Sequence, residues 1–159
     1  HGLLLSQAVQ PNVTLGSLKR FASALGHLNL RREEAAAQES CTAMQVQCQS
    51  LEQPVDQLSG GNQQKVVMAR WFLRNGLVYL CDEPTRGIDV AAKAAVYRWL
   101  HDLADRGKAV LVVSSELREL LALCDRIGVM SAGRLTAIFS RDDWSQEKIL
   151  QAALSGYSG

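Results

Sequence analysis

The sequence predicts an α/β chain: a mostly parallel sheet preceded by a helical subdomain. Three observations predict it. From residue 58 onward, short apolar runs alternate with helical stretches, as strand–helix–strand units do. The run Ala109–Val113 is apolar throughout, as expected of a strand covered on both faces. Residues 12–57 carry no convincing strand and are rich in helix formers. The chain has 159 residues, 47% hydrophobic and 21% charged, which is enough apolar material for a core and argues against disorder.

The elements follow in order. Leu15, Leu18, Phe21, Ala22, Leu25 and Leu28 recur at spacings of three and four, the pattern of an amphipathic helix. Arg31 to Gln49 reads as a second helix, and Pro54 stops anything beyond it. Its opening Arg31-Arg32-Glu33-Glu34 reads as a solvated face. Val66, Ala69, Phe72 and Leu73 share one face of a helix over residues 63–73. Strands are expected at Leu77–Cys81 and Ala109–Val113, with helices at about Val90 to Ala104 and Glu116–Cys124 around the second of them. Ile127–Met130 and Leu135–Phe139 flank Ser131-Ala-Gly-Arg134 as a hairpin, and a helix from Ser145 to Leu154 closes the chain.

Charge and cysteine usage exclude several classes. The formal net charge is +1, too near neutral to give the basic field that general nucleic-acid binding needs. No apolar run reaches the roughly 18 residues of a membrane span. Cys41, Cys48, Cys81 and Cys124 form no C-x-x-C pair and read as structural thiols of a reducing compartment. His27 and His101 read as surface residues, and Trp71, Trp99 and Trp144 as core or interface anchors.

The chemistry concentrates between Leu58 and Glu116. Leu58-Ser-Gly-Gly-Asn-Gln-Gln-Lys65 puts two glycines at a helix start, where free N–H groups and the dipole favour an anion and the absence of Cβ allows close approach. The same spelling also suits a plain Ser N-cap. Leu77-Val-Tyr-Leu-Cys-Asp-Glu-Pro-Thr85 delivers two carboxylates at the C-terminal end of a strand, where open α/β sheets bind ligands. Asp82 suits Mg²⁺ as a hard oxygen ligand, and Glu83 suits orienting and deprotonating a water. A solvated acidic turn has the same spelling.

Taken in order, these elements resemble the ATP-binding cassette (ABC) ATPases, a P-loop NTPase-like fold. Leu58-Ser-Gly-Gly-Asn-Gln63 resembles the signature motif, with Asn62 where Gln is commoner. Val78–Asp82 resembles the Walker B strand, Glu83 its catalytic glutamate, and Gly87-Ile-Asp89 the D-loop. Ser-Gly-Gly-Asn-Gln-Gln-Lys, Asp-Glu-Pro-Thr-Arg-Gly-Ile-Asp and Val113-Ser-Ser-Glu116 are similar to the second cassette of bacterial monosaccharide importers of the ribose, galactose, xylose and autoinducer-2 type. The resemblance implies ATP and Mg²⁺ as cofactors, with Ser59, Gly60, Gly61, Asn62, Gln63, Asp89 and Ser115 facing nucleotide. It implies a second cassette, membrane permease subunits and, indirectly, a sugar-binding protein as partners, at the cytoplasmic face of the inner membrane. Residues 1–57 would be the end of the Q-loop region and the helical subdomain, with Gln7 or Gln10 as candidate Q-loop glutamine, and residues 58–159 the remainder of the cassette.

Two departures shape the expected mechanism. No G-x-x-x-x-G-K-[ST] phosphate loop occurs; with the opening His1, this leads us to expect a piece of a longer chain, inactive by itself. Ser115 stands where such ATPases usually carry a switch His, and a hydroxyl cannot become the cation that stabilises developing phosphate charge. Ser115 reads instead as a helix N-cap. The expectation is that Ser59, Gly60 and Gly61 serve nucleotide held by the partner cassette, while the Asp82–Glu83 site hydrolyses poorly. A soluble ABC ATPase of repair or translation and a non-catalytic regulatory cassette are the alternatives.

Overall fold

A computed structural model describes residues 2–88 and 90–157. The chain divides into two compact units, His1–Leu77 with Gly87–Lys93, and Val78–Arg86 with Ala94–Gly159.

The first unit is helical. It holds α1 (Val9–Thr14), α2 (Leu30–Ala43) and α3 (Gly60–Arg74), with 3-10 turns at Leu15–Arg20 and Val55–Gln57. Val9 and Val13 of α1, Ala37 of α2, Val66 and Ala69 of α3, and Val55 meet in its core. Met68 and Leu73 are also buried and Phe72 half-buried, so the apolar face expected of this helix is largely the one that packs. This packing places α3 with the helices that precede it, in the unit that runs to Leu77. Asn12 is fully buried and pins the start of the chain: its Oδ1 accepts from the Leu4 N–H at 2.8 Å and its Nδ2 donates to Leu4 O and Ala8 O, both at 2.9 Å.

Three expectations fail here. The amphipathic helix over Leu15–Leu28 is a 3-10 turn ending at Arg20, followed by a tight loop in which Ser23 N–H donates to His27 O at 2.8 Å and Gly26 adopts φ +82°. That loop turns Leu25 to solvent, 86% exposed, so helical spacing there does not report a buried face. Helix α2 starts as expected, with Asn29 Oδ1 accepting from the Arg32 N–H at 3.0 Å, but it ends at Ala43, because Gln45 takes a left-handed φ of +52°. Within the charged opening of α2, Glu33 is buried rather than solvated, and its Oε1 accepts from the buried Thr14 hydroxyl at 2.6 Å.

The second unit carries the sheet. Strand β1 (Val78–Asp82) leads to α4 (Val90–Asp105), and β2 (Ala109–Val113) to α5 (Leu117–Leu123). β1 and β2 pair in parallel, from Val78↔Ala109 to Asp82↔Val113. Tyr79 faces α4, where its ring meets Trp99 edge-on with centroids 5.8 Å apart. Strands β3 (Arg126–Ser131) and β4 (Arg134–Ser140) form a separate antiparallel hairpin. Ala132 and Gly133 turn it, with φ of +46° and +75°, the positive pair a two-residue turn needs. Helix α6 (Gln146–Leu154), capped by Ser145, lays Ile149 on Ile127 and Val129, with Trp144 alongside.

The parallel pair is covered on one face only. Along β1 and β2 the side chains alternate, and Val78, Leu80, Leu111 and Val113 stay more than half exposed. The uninterrupted apolar run of β2 therefore overstates its burial in this chain, and the expected sheet consists of this pair and the separate hairpin among the described residues. Of the three tryptophans, Trp99 is buried, Trp144 half-buried, and Trp71 exposed. His27 and His101 lie at the surface as expected. The four cysteines are free thiols; Cys41 is buried and the others are half-buried.

Candidate functional site

Two clusters hold the residues that the sequence singles out, one in each unit. The first surrounds the start of α3. Ser59 caps this 15-residue helix, so the N–H groups of its first turn lack intrahelical partners and the dipole adds positive character. The Ser59 Oγ accepts from Asn62 twice, from the backbone N–H at 3.4 Å and from Nδ2 at 3.1 Å. With both acceptor positions engaged, the hydroxyl proton is the part of Ser59 left to give. Asn62 Oδ1 in turn accepts from the Gln47 N–H at 2.9 Å, tying the cap to the loop after α2. Lys65 Nζ donates to Gln45 O in the same loop at 2.9 Å.

Gln63 points elsewhere. Its Nε2 donates to Val55 O and Leu58 O, both at 3.2 Å, and so braces the segment leading into the cap. Gly60 lies in the first turn of α3 with a negative φ, and a Cβ added there would meet no atom within 4 Å. Neither backbone conformation nor internal packing demands glycine at this position.

The second cluster lies at the C-terminal ends of β1 and β2. Asp82 ends β1 as an exposed carboxylate. Glu83 follows with φ +45°, an uncommon conformation for a non-glycine residue that costs energy unless neighbours hold it. Its N–H donates to Val113 O at 2.8 Å, and its Oε1 accepts from the Ser115 N–H at 2.9 Å. Ser115 thus contributes its backbone to Glu83, and its exposed side chain caps no helix; α5 begins at Leu117, preceded by Glu116. The N-cap reading of Ser115 is corrected accordingly. The hydroxyl that serves this turn is that of Ser114, whose Oγ accepts from the Glu116 N–H at 3.0 Å.

Beneath these loops sits a carboxylate that sequence reasoning passed over. Glu119 is 2% exposed; its Oε1 accepts from the Thr85 hydroxyl at 2.7 Å and its Oε2 from the Ser114 hydroxyl. Its sequence signal was slight, one acid in the short leucine-rich stretch Leu117-Arg-Glu-Leu-Leu-Ala-Leu123. Asp89 lies outside the described residues. Gln7 is exposed and Gln10 half-buried.

Among the described residues no group of three or more His, Cys, Asp or Glu side chains converges as a metal cage. Mg²⁺ keeps several waters and shares its coordination with substrate phosphates, so a single exposed carboxylate such as Asp82 could hold it. The thiols are not poised for chemistry. Burial, with a smaller contribution from Cys48, pushes the Cys41 thiol up to about 12, and burial also raises those of Cys48, Cys81 and Cys124.

Comparisons with known proteins identify the family and the fold. The model of the ABC transporter family matches residues 4–86, more than half of the chain. A ribose import ATP-binding protein of Rubrobacter xylanophilus is 45% identical over 152 residues, 96% of this chain and 29% of its own length. A xylose import ATP-binding protein of Geobacillus kaustophilus is 42% identical over 156 residues, 98% of this chain and 31% of its own. The chain thus spans about 30% of the curated relatives it matches. Among solved structures, a dimeric ATP-binding cassette in a post-hydrolysis state with ADP and inorganic phosphate superposes with a TM-score of 0.73 at 24% identity, over 87% of this chain and 59% of that one. The ADP conformation of another ABC transporter cassette gives 0.69 at 19% identity, over 98% of this chain and 64% of the other, so the fold is that of an ABC cassette.

Proposed function

This chain belongs to the ABC transporter family, and from that premise we propose that it forms the signature- and Walker B-bearing part of an ATP-hydrolysing subunit that energises sugar import. The observation that carries this reading is the start of α3. Gly60 is a glycine the fold does not require, beside a Ser59 hydroxyl whose acceptor positions are already used. Both features suit close approach by an anionic group from outside the chain. The relatives named for ribose and xylose import supply the substrate class.

In this reading Ser59, Gly60 and Gly61 offer hydrogen-bond donors to nucleotide held on a partner cassette. Asn62 and Gln63 support that cap, Asn62 through Ser59 and Gln63 through the Val55 and Leu58 carbonyls. Asp82 would hold Mg²⁺, which supplies charge neutralisation at the phosphates. Glu83 would orient and deprotonate the attacking water, with the Ser115 N–H fixing one of its oxygens. Asp89 completes the set as the D-loop acid. The subunit would work with a second cassette and permease subunits at the cytoplasmic face of the inner membrane, with a sugar-binding protein as the indirect partner. None of the described helices is long and apolar enough to cross a membrane.

A second reading, a cassette that binds nucleotide but turns it over slowly, is favoured by one observation. The switch position contributes a backbone N–H to Glu83 and has no side chain able to become cationic. The experiment compares ATP turnover of the full transporter after Gly61→Asp and, separately, after Glu83→Gln. Near-complete loss from Gly61→Asp with a smaller loss from Glu83→Gln is expected. Equal losses would remove the asymmetry between the sites, and no loss from either would remove the ATPase reading.

A further inference from the structure

We propose that Glu119 is the positioning residue that locks the loop after β1 to the loop after β2 and so holds Glu83 in place. The inference rests on the reading of Glu83 as the water-orienting carboxylate, and it concerns residues outside the signature, Walker B and D-loop motifs.

A buried carboxylate costs several kcal/mol unless its oxygens are satisfied. Glu119 is almost wholly buried in the first turn of α5, and both of its oxygens are engaged. Its two donors come from different loops. Thr85, itself 1% exposed, lies two residues after Glu83; Ser114 lies one residue before Ser115. Ser114 is held from a second side, since its Oγ accepts from the Glu116 N–H. The two loops touch again at the surface, where the Ser115 N–H meets Glu83 Oε1 at 2.9 Å. Thus Glu83, in its left-handed conformation and with its own N–H on Val113 O, is flanked by two further connections between the same pair of loops, one buried and one at its carboxylate. Satisfied buried networks of this kind rigidify what they join. Without Glu119, the Ser115 N–H would be held near the Glu83 oxygen only by the strand pairing that ends with the Glu83 N–H on Val113 O.

The test reads the surface contact directly. Amide hydrogen exchange on the full chain should show the Ser115 amide losing protection by about tenfold in Glu119→Ala, the scale of one charge-assisted hydrogen bond. Amides of the β3–β4 hairpin should stay unchanged. Glu119→Gln keeps one acceptor and the same reach, and should restore most of the protection. If Glu119→Ala unfolds the chain, Thr85→Val and Ser114→Ala each remove one link and should each loosen Ser115. In the assembled transporter, Glu119→Ala should lower turnover by the same factor as Glu83→Gln, with unchanged KM for ATP, and the double variant should lose nothing more. Unchanged Ser115 protection in the Ala variant, or a Gln variant as loose as Ala, overturns the assignment. If Glu83→Gln leaves turnover intact, it is the reading of Glu83 as the water-orienting carboxylate that falls, and the exchange result still decides the role of Glu119.

Discussion

Replacing Gly60 by alanine separates what the fold needs from what a ligand needs. Gly60 is the first residue of α3, and an added Cβ meets nothing within 4 Å. Glycine in a helix costs about 0.5–1 kcal/mol relative to alanine, chiefly through the freedom it keeps in the unfolded chain. Gly60→Ala should therefore raise unfolding stability by roughly 0.5 kcal/mol, toward the low end because the residue sits in the first turn. Urea denaturation followed by far-UV circular dichroism measures this, and the midpoint should move up with unchanged slope. The same methyl projects into the space beside Ser59 where we place the partner's nucleotide. Losing one charge-assisted contact there costs about 1.5–3 kcal/mol, so ATP turnover of the transporter should fall by about tenfold or more. The opposite signs are the point of the experiment. A drop in stability would show that the space over Gly60 is not open. Unchanged turnover would show that nothing approaches Gly60 closely, and the argument from its missing Cβ would fail.

Two further outcomes follow from the buried polar groups. A double-mutant cycle of Thr14→Val with Glu33→Met should give a coupling of about 1.5–3 kcal/mol in urea unfolding, the range for a hydrogen bond to a charged group; a coupling near zero would mean that the 2.6 Å contact does not persist in solution. The Cys41 thiol, raised from an ordinary value of 9.0 to about 12 mainly by burial, gives a signed pH effect. Above the ordinary value the unfolded thiol ionises while the folded one keeps its proton, so stability falls as pH climbs from about 9 toward about 12. Urea midpoints at about pH 8 and about pH 10.5 should differ less in Cys41→Ala than in the parent chain, and equal pH dependence would contradict the burial argument.

Much of the second unit was legible because its strands are short, apolar and β-branched and its turns carry the residues the turns require. Ala132-Gly133 turns a hairpin at the position its spelling indicates, and Ala109–Val113 is a strand with those bounds. The first unit was harder to read. Leucines at helical spacing between Leu15 and Leu28 fall partly in a 3-10 turn and partly in a loop, because local hydrogen bonds around Ser23 and Gly26 outweigh a pattern that only packing could enforce. The candidate site divides the same way. Ser59, Gly60, Asp82 and Glu83 stand out by motif, since each lies in a short run of neighbouring residues that the sequence spells out. Glu33 and Glu119 do not, because a buried acid is made tolerable by partners that lie 19 and 34 residues away, at Thr14 and Thr85. Ser115 falls between the two: its position was visible, but its contribution is a backbone N–H, which no side-chain spelling encodes.

The open face of the parallel pair has a consequence for handling the protein. Val78, Leu80, Leu111 and Val113 form a contiguous apolar surface on two strands, and Ala109–Val113 carries no charge and no proline to deter pairing. A formal net charge of +1 gives little colloidal repulsion to keep copies apart. At high concentration the purified 159-residue chain should cluster through this surface, by a route governed by concentration and salt more than by thermal unfolding. A single charge at Leu111, which points away from the buried Tyr79 side, should keep it dispersed without disturbing the core.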